Sequence, residues 1–502
     1  MKKYALLLVG LIFPLFLSAQ NWAVDLGKPY QKVYKKGLSL HESTNFLGLN
    51  NHYYFLNYKT KKENEILQFD LKHNLVNAIS IGKTPEGKKL KAEKVLKTKS
   101  GFFLISSFFK KRKKEGFLYA TRINNDGSME EAKEPLFSYF THDNNNSYWT
   151  VFAGIQNNDT YGFSSSPDSS KIVFTRVKGS HDSKRSEGSE IYQVFVFDQY
   201  LNKVWEKDIV LPNVDEKIQV KQFGVTNSGE VFLLAKNKGS RIGGKFWIPK
   251  KDLIILRVNK DGKYAMNTLR LKKSFPISAA MFSENDDLYV AGIYTNGEKK
   301  MKGADGTFMM KFDEEDELIF SEKYPYENEI RKYLISHYPK SAMNNFFNFE
   351  VDDLLINFEN GYFLIVSENR YEANSDDIIV SRFSFEGELE WNCHRNKSFY
   401  GTKGSYGLSH RNGNIYLIYN TTKTTDEKKQ IKHDVRSNIG SFYTDVIRIN
   451  NKGEIDFEET IFHSRELINP VIPVFTRRIS NGNMLLFFVN NYVMQFGTLR
   501  FR

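Results

Sequence analysis

The sequence predicts an all-β fold, a single closed β-propeller of four-stranded blades, on three observations. A strand, a polar turn and a second strand recur along the 502 residues. An almost unbroken apolar run precedes nearly every copy. Aromatic residues make up 15% of the chain, with 41 Phe and 27 Tyr, which suits strands carrying large packed side chains.

The clearest copy is "DIIVSRFSFEGELEWN" at Asp377 to Asn392. Its relatives begin at Asn64, Gly116, Tyr192, Asp252, Gly306 and Thr444, and several carry "NDG", "KDG" or "NKG" at the turn, sequences suited to tight hairpins. Equivalent turn positions are His73, Gly127, Leu201, Gly262, Asp316, Gly387 and Gly453, spaced by 54, 74, 61, 54, 71 and 66 residues. Each interval has room for one four-stranded sheet. Upstream lie "HYYFLNY", "GFFLISSFF", "KIVFTRV", "GEVFLLA", "DLYVAGIY", "GYFLIVS" and "GNIYLIY", with an eighth run, "GNMLLFFV", from Gly482. Unbroken apolar character in a short strand means that both of its faces are covered. Radial packing of sheets provides that cover, and eight runs imply eight blades; seven is the alternative, because faint terminal repeats are easily miscounted.

After the eighth run only "YVMQFGTLRF" remains before the C-terminus, so the last blade lacks an outer strand. "NWAVDLG" from Asn21, or residues 31 to 40, can supply it and close the ring without an open edge. One segment departs from the β pattern. Ile330, Tyr333, Leu334 and Tyr338 fall at helical spacing, which predicts a short amphipathic insertion near 326–338.

Residues 1–20 place Lys2 and Lys3 before an apolar run from Tyr4 to Leu17 and end on small residues, the layout of a cleavable signal peptide. The expected product is an exported, periplasmic or extracellular monomer, residues 21–502, that does not span the membrane. Cys393 is the lone cysteine, so the chain is held by its core and not by an internal disulfide.

"DIIVSRFSFEGELEW" resembles the repeat of secreted bacterial β-propeller proteins, carried here by Asp377, Ile378, Ile379, Val380, Arg382, Gly387 and Trp391. "SPDSSKIVF" from Ser166 resembles the Ser-Pro-Asp turn of Tol-type periplasmic propellers and prolyl-peptidase propellers, with Ser169 or Ser170 where those blades carry Gly. Both resemblances imply the fold. Neither implies an activity, which resides in sites.

No nucleophile elbow, His-Glu-x-x-His, paired-Cys motif or phosphate loop occurs, so no catalytic residue, metal ligand or cofactor is assigned. His394 with Arg395 and His410 with Arg411 sit near strand ends and are the best isolated titratable groups. Acidic turns such as "NNDGSMEE" and "DEEDE", and the oxygen-rich "HDNNNSYW" from His142, are explained by turn chemistry without Ca²⁺.

Charge is more informative. Residues 26–130 hold 21 Lys/Arg against 9 Asp/Glu, an excess equal to the +12 of the whole chain. The connection between each apolar run and its hairpin falls at one place in the repeat, so these loops share a face. Two are basic: Lys110, Lys111, Arg112, Lys113 and Lys114 in one; Lys236, Lys238, Arg241, Lys245, Lys250 and Lys251, interleaved with Phe246 and Trp247, in the other. "ENRYEANSDD" from Glu368 is an acidic counterpart. The expected function is noncatalytic binding of a protein, glycan, lipid surface or other anionic partner through these loops. Nucleic acid is disfavoured by export. The alternative is a hydrolase or lyase with its site at the channel mouth, assembled from residues distant in sequence.

Overall fold

The computed structural model is an eight-bladed β-propeller of antiparallel sheets. It describes residues 22–26, 30–31, 44–59, 64–84, 86–110, 112–113, 115–130, 134–140, 161–177, 191–210, 218–237, 240–242, 246–248, 253–296, 304–337, 349–371, 374–400, 406–421, 443–463, 471, 473, 476–479, 482–489 and 493–501. Residues 1–20, read in the sequence as a signal peptide, lie outside these.

The strands β1 (Trp22–Leu26) and β2 (Tyr30–Gln31) come first. Blade 1 is β3 (Thr44–Leu49), β4 (Tyr53–Lys59), β5 (Asn64–Asp70) and β6 (Leu75–Ser80). Blade 2 is β7 (Lys91–Thr98), β8 (Gly101–Lys110), β9 (Glu115–Ile123) and β10 (Pro135–Phe140). Blade 3 is β11 (Tyr161–Ser165), β12 (Lys171–Val177), β13 (Ile191–Asp198) and β14 (Lys203–Val210). Blade 4 contains β15 (Ile218–Val225), β16 (Val231–Asn237), β19 (Leu253–Val258) and β20 (Tyr264–Leu269), interrupted by a separate hairpin of β17 (Ser240–Ile242) and β18 (Phe246–Ile248). Blade 5 is β21 (Phe275–Glu284), β22 (Asp287–Thr295), β23 (Gly306–Phe312) and β24 (Leu318–Pro325). The helix α1 (Asn328–His337) follows, within the expected insertion. Blade 6 is β25 (Phe349–Asn357), β26 (Tyr362–Tyr371), β27 (Asn374–Ser384) and β28 (Leu389–Tyr400). Blade 7 is β29 (Tyr406–Arg411), β30 (Asn414–Thr421), β31 (Tyr443–Ile449) and β32 (Ile455–His463). Blade 8 is β33 (Arg477–Arg478), β34 (Met484–Val489), β35 (Val493–Phe501) and, as its outermost member, β1.

Two compact units divide the chain: unit 1, Met1–Ser43, Asp70–Leu75 and Lys403–Arg502; and unit 2, Thr44–Phe69 and Val76–Thr402. In unit 1, Trp22–Leu26 of the expected segment supplies the missing strand, with Trp22 opposite Phe501 and Leu26 opposite Gly497. β2 extends the pairing through Tyr30 opposite Met494. Blades 7 and 8 share a core in which Tyr416, Ile418 and Val446 meet Met484, Leu486 and Phe501, and the rings of Tyr416 and Phe501 stack at 3.8 Å.

In unit 2 each blade is glued to the next by one apolar cluster. Leu47 and Phe55 meet Val95 and Leu104 between blades 1 and 2. Phe137, Phe174, Phe195 and Phe197 gather between blades 2 and 3, Phe137 stacking on Phe195 at 4.0 Å. Val194 and Val196 meet Leu233 and Leu256 between blades 3 and 4. Blades 4 and 5 join through Leu234 and Met281. Blades 5 and 6 join through Phe282 and Phe363, with Ile330 and Leu334 of α1 packed into the same cluster. This cover explains the unbroken apolar second strands: Phe55, Leu233, Val290 and Ile365 have no exposed surface. The fourth strands β6 and β14 are exposed along most of their length, whereas β28 buries Trp391, Cys393 and Lys397.

All seven turns counted in the sequence have one construction. In the blade 6 example Ser384 accepts from the Gly387 N–H, and Gly387 has φ 96°, the left-handed residue that closes a three-residue hairpin loop. A Cβ on Gly387 would stand 2.6 Å from the Phe320 ring of blade 5. At the same position His73, Leu201 and Asp316 adopt φ of 67°, 64° and 68°. Each of these side chains is used: Leu201 is buried in the cluster between blades 2 and 3, His73 Nε2 lies 3.0 Å from Thr498 Oγ1, and Asp316 contacts Arg257.

Arg257 of β19 binds turns of two blades at once. Its side chain is 3% exposed, with Nε 3.0 Å from Asp316 Oδ1 and Nη1 3.8 Å from Glu230 Oε2. Its two Nη groups donate to the carbonyls of Glu314 and Asp286 at 2.6 and 3.0 Å. Burial raises the pKa of Glu230 and Asp316, and the guanidinium opposes the rise. Replacing Arg257 with Met would leave both carboxylates half-buried without their cation, at an expected cost of about 3–5 kcal/mol. Urea unfolding should show this as a lowered midpoint at unchanged slope.

Candidate functional site

Antiparallel order gives every blade two unlike ends. First-to-second and third-to-fourth strand connections leave one end, here the turn end; second-to-third and fourth-to-first connections leave the other, the loop end. At the turn end the connections are two to five residues long, apart from 124–134. All connections longer than eleven residues, up to the 23 residues of 326–348, are at the loop ends. The charges divide in the same way. Loop-end connections contain 38 Lys/Arg against 20 Asp/Glu, and turn-end connections 6 against 17. Turn chemistry accounts for part of the acidic excess: Asp126, Asp168 and Asp313 each accept backbone N–H groups of their own turns.

The basic segments occupy the loop ends of blades 2 and 4, with blade 3 between them. Lys110 closes β8, where its Nζ lies 3.0 Å from Glu86 Oε1 and 4.7 Å from the centre of the Phe117 ring. Its carbonyl accepts from the Lys113 N–H at 3.0 Å, and Arg112 and Lys113 are exposed at the tip. Lys111 and Lys114 lie outside the described residues. Read as a loop in the sequence, the blade 4 connection contains a hairpin: Arg241 is the register partner of Trp247, and Ile242 of Phe246. Lys238, Lys245, Lys250 and Lys251 lie outside the described residues. "HDNNNSYW" does too.

Lys236 has a different setting. It is the next-to-last residue of β16, and its Nζ donates to the Ile277 carbonyl of blade 5 at 3.3 Å. It lines a small cavity together with Lys221, Ser278 and Glu350. Five first strands carry a one-residue bulge near their beginning, at Leu47, Glu93, Lys221, Ile277 and Asp352. A bulge leaves one residue outside the ladder and re-aims its side chain. Those at Lys221 and Ile277 place both residues in the wall of the cavity. The sequence could not signal this, because a bulge changes no residue type.

"ENRYEANSDD" is corrected by the structure. It belongs almost wholly to β26 and β27, and only 372–373 connect them. Glu368 and Asp377 have no exposed surface. Glu368 is in contact with the buried ammonium of Lys397. Asp377, at a bulge with φ 37°, holds His394 Nε2 at 3.1 Å. The ring of Tyr333 from α1 lies 4.6 Å from the His394 ring. Burial pushes the neighbouring Cys393 thiol up to about 12, so the thiol is protonated and a poor nucleophile. The second histidine singled out in the sequence, His410, contacts the guanidinium of Arg478, and burial with that cation holds its pKa down to about 4. Arg411 donates to the Phe501 carbonyl. Trp391 is 9% exposed, a packing residue.

No protein-family model matches this sequence, and no curated protein matches it. Solved structures give β-propeller neighbours. The WD40 domain of SCAP from fission yeast has a TM-score of 0.42 at 10% identity, covering 96% of this chain and 98% of its own. Prolyl oligopeptidase B from Galerina marginata has 0.40 at 9%, covering 96% and 57%. The periplasmic gluconolactonase PpgL of Pseudomonas aeruginosa has 0.35 at 11%, covering 78% and 93%. At such scores and identities none of these neighbours bears on what this chain binds or does.

Two outcomes follow. Native protein at pH 8 should leave Cys393 unmodified by iodoacetamide and react only after denaturation, as intact mass would show. His73 is likewise held down to about 4, chiefly by burial. Both histidines therefore stay neutral in the folded state while the unfolded chain protonates them below about 6.5. Their contribution to stability is present above that pH and lost as pH falls toward 4. A His73→Asn/His410→Gln double variant should show a flatter fall in melting temperature between pH 7 and 4.5 than the parent.

Proposed function

We propose that this protein is an exported β-propeller that binds an anionic partner through the loop ends of its blades, without catalysing a reaction. The observation that carries this reading is the division of charge between the two ends of the blades. An excess of 18 positive charges in the loop-end connections, against an excess of 11 negative charges in the turn-end ones, favours approach of an anion to one end only. The hairpin of β17 and β18 supports it, because an ordered strand pair adds backbone structure to a segment rich in Lys and Arg with Phe246 and Trp247 in register positions. Aromatic and Arg residues are common anchors of binding surfaces. Export is supported by the layout of residues 1–20.

The test is salt-dependent retention of the mature protein on heparin and on vesicles containing anionic lipid. Retention should fall as ionic strength rises from about 0.05 to 0.5 M, because charge attraction is screened within a few ångströms at the upper value. Replacing Lys110, Lys111, Arg112, Lys113 and Lys114 with Gln should move elution to lower salt. Elution of this variant at the parent's salt concentration would remove the blade 2 segment from the binding surface.

A further inference from the structure

Blade 6 holds an amine and a carboxyl group in contact where water has no access. Glu368 belongs to β26 and Lys397 to β28, and β27 lies between those strands. Neither side chain has any exposed surface, and the Lys397 ammonium touches the Glu368 carboxylate. A bulge brings them together. Asp376 pairs with Ser398 and Ile378 with Arg395, so Asp377 of β27 and Asn396 and Lys397 of β28 stand outside the ladder, where side chains are re-aimed. The strands around the pair are dry: Ser367, Ile378, Ile379 and Val380 are each no more than 1% exposed.

A buried ion pair offsets its lost hydration only when further hydrogen bonds satisfy the remaining donors and acceptors. That condition fails for the lysine. An ammonium has three N–H groups, yet among the described residues Lys397 Nζ makes no hydrogen bond, and its contact with Glu368 is one of charge alone. Joining the two groups as an amide removes both charges from the interior. In bulk water the separate ions are favoured because each is hydrated; in a site without water that advantage is lost. Reacting groups that the fold holds in contact also reach effective concentrations of about 10⁵ M or more.

We propose that Lys397 and Glu368 condense to an isopeptide bond, a covalent cross-link between β26 and β28 that the folded chain forms on itself. The step is a dehydration. A proton passes from the ammonium to the carboxylate, leaving a neutral amine and a carboxylic acid. The Nζ lone pair attacks Cδ of Glu368, the N–C bond forms and the C–OH bond breaks. The departing hydroxyl takes a second proton from Nζ, so atoms and charges balance with water as the by-product. The link closes residues 369–396 into a loop, in a chain whose lone cysteine can make no internal disulfide.

The experiment is mass spectrometry of the intact mature protein and of its tryptic peptides. Against the mass calculated from its measured N-terminus, the parent should be light by about 18 Da, the mass of one water. Trypsin does not cut at an acylated lysine, so residues 396–403 should appear as one piece joined to residues 341–370. That joined pair distinguishes the bond from a succinimide at an Asp-Gly turn, which sheds the same mass within a single peptide. Lys397→Arg keeps the charge but presents no amine, and it should show the full mass with the 341–370 peptide released. A parent of full mass with the two peptides separate, or a deficit that persists in Lys397→Arg, would overturn the assignment. The deciding measurement is made on the parent chain, so a variant that fails to fold does not spoil it.

Discussion

The fold depends on covering both faces of every central strand. A sheet of four strands with second and third members as apolar as β16, β19 and β22 cannot stand alone in water, since each would present two greasy faces. Packing blade against blade through a single apolar cluster answers this need, and it fixes the rest. The fourth strand is left at the rim, half solvated. The first strand is left at the inner edge, where it packs against the first strands of its neighbours. Burying about 25 cal/mol per Å² of apolar surface across each such interface is the main favourable contribution. The buried polar residues then serve to fix geometry: Arg257 ties turns of two blades, and Gln222 ties two first strands by a pair of bonds.

With the strands committed to the core, variation is confined to the connections. Turn ends are constrained twice, by the hairpin geometry and by contact with the preceding blade, as the fit between Gly387 and Phe320 illustrates. Loop ends carry no such restriction. They accommodate a helix after blade 5, a second hairpin in blade 4 and most of the chain's basic residues. Function is therefore sought where the packing imposes least, and the inner edge of blades 4 to 6 is where the loop ends meet a rigid wall.

Much of this was legible in the sequence. The seven turn positions could be found because their residue types announce them: Gly in four, and in the other three a polar frame around His73, Leu201 or Asp316. The closing strand was legible from a deficit, since the last apolar run has only one strand after it. The helix could be placed from Ile330 and Leu334. Other features depended on distant neighbours. Glu368 and Asp377 read as solvated because acidic residues near a strand end usually are; their burial requires Lys397 and His394, 29 and 17 residues further along the chain. The cavity was missed because Lys221, Ser278 and Glu350 are unremarkable singly, and only bulges and blade order bring them together. Lys236 was singled out for its charge, but its place is the cavity wall as much as the surface.

The pairing of Trp22–Leu26 with Gly497–Phe501 has a temporal consequence. Strands two to four of the other blades lie close in the chain and can form local hairpins soon after they are made, whereas the last sheet joins the described chain's earliest strand to its latest. Contacts of such long sequence separation are slow to form because the loop must be closed first. Trp22 and its neighbours must wait, unpaired, through the synthesis of every blade between. Until then β35 has a bare edge, and the molecule that is complete but for this one ladder is the species most open to strand addition by another chain. The ladder between the first strand and the last is thus the contact that chain topology leaves until the end.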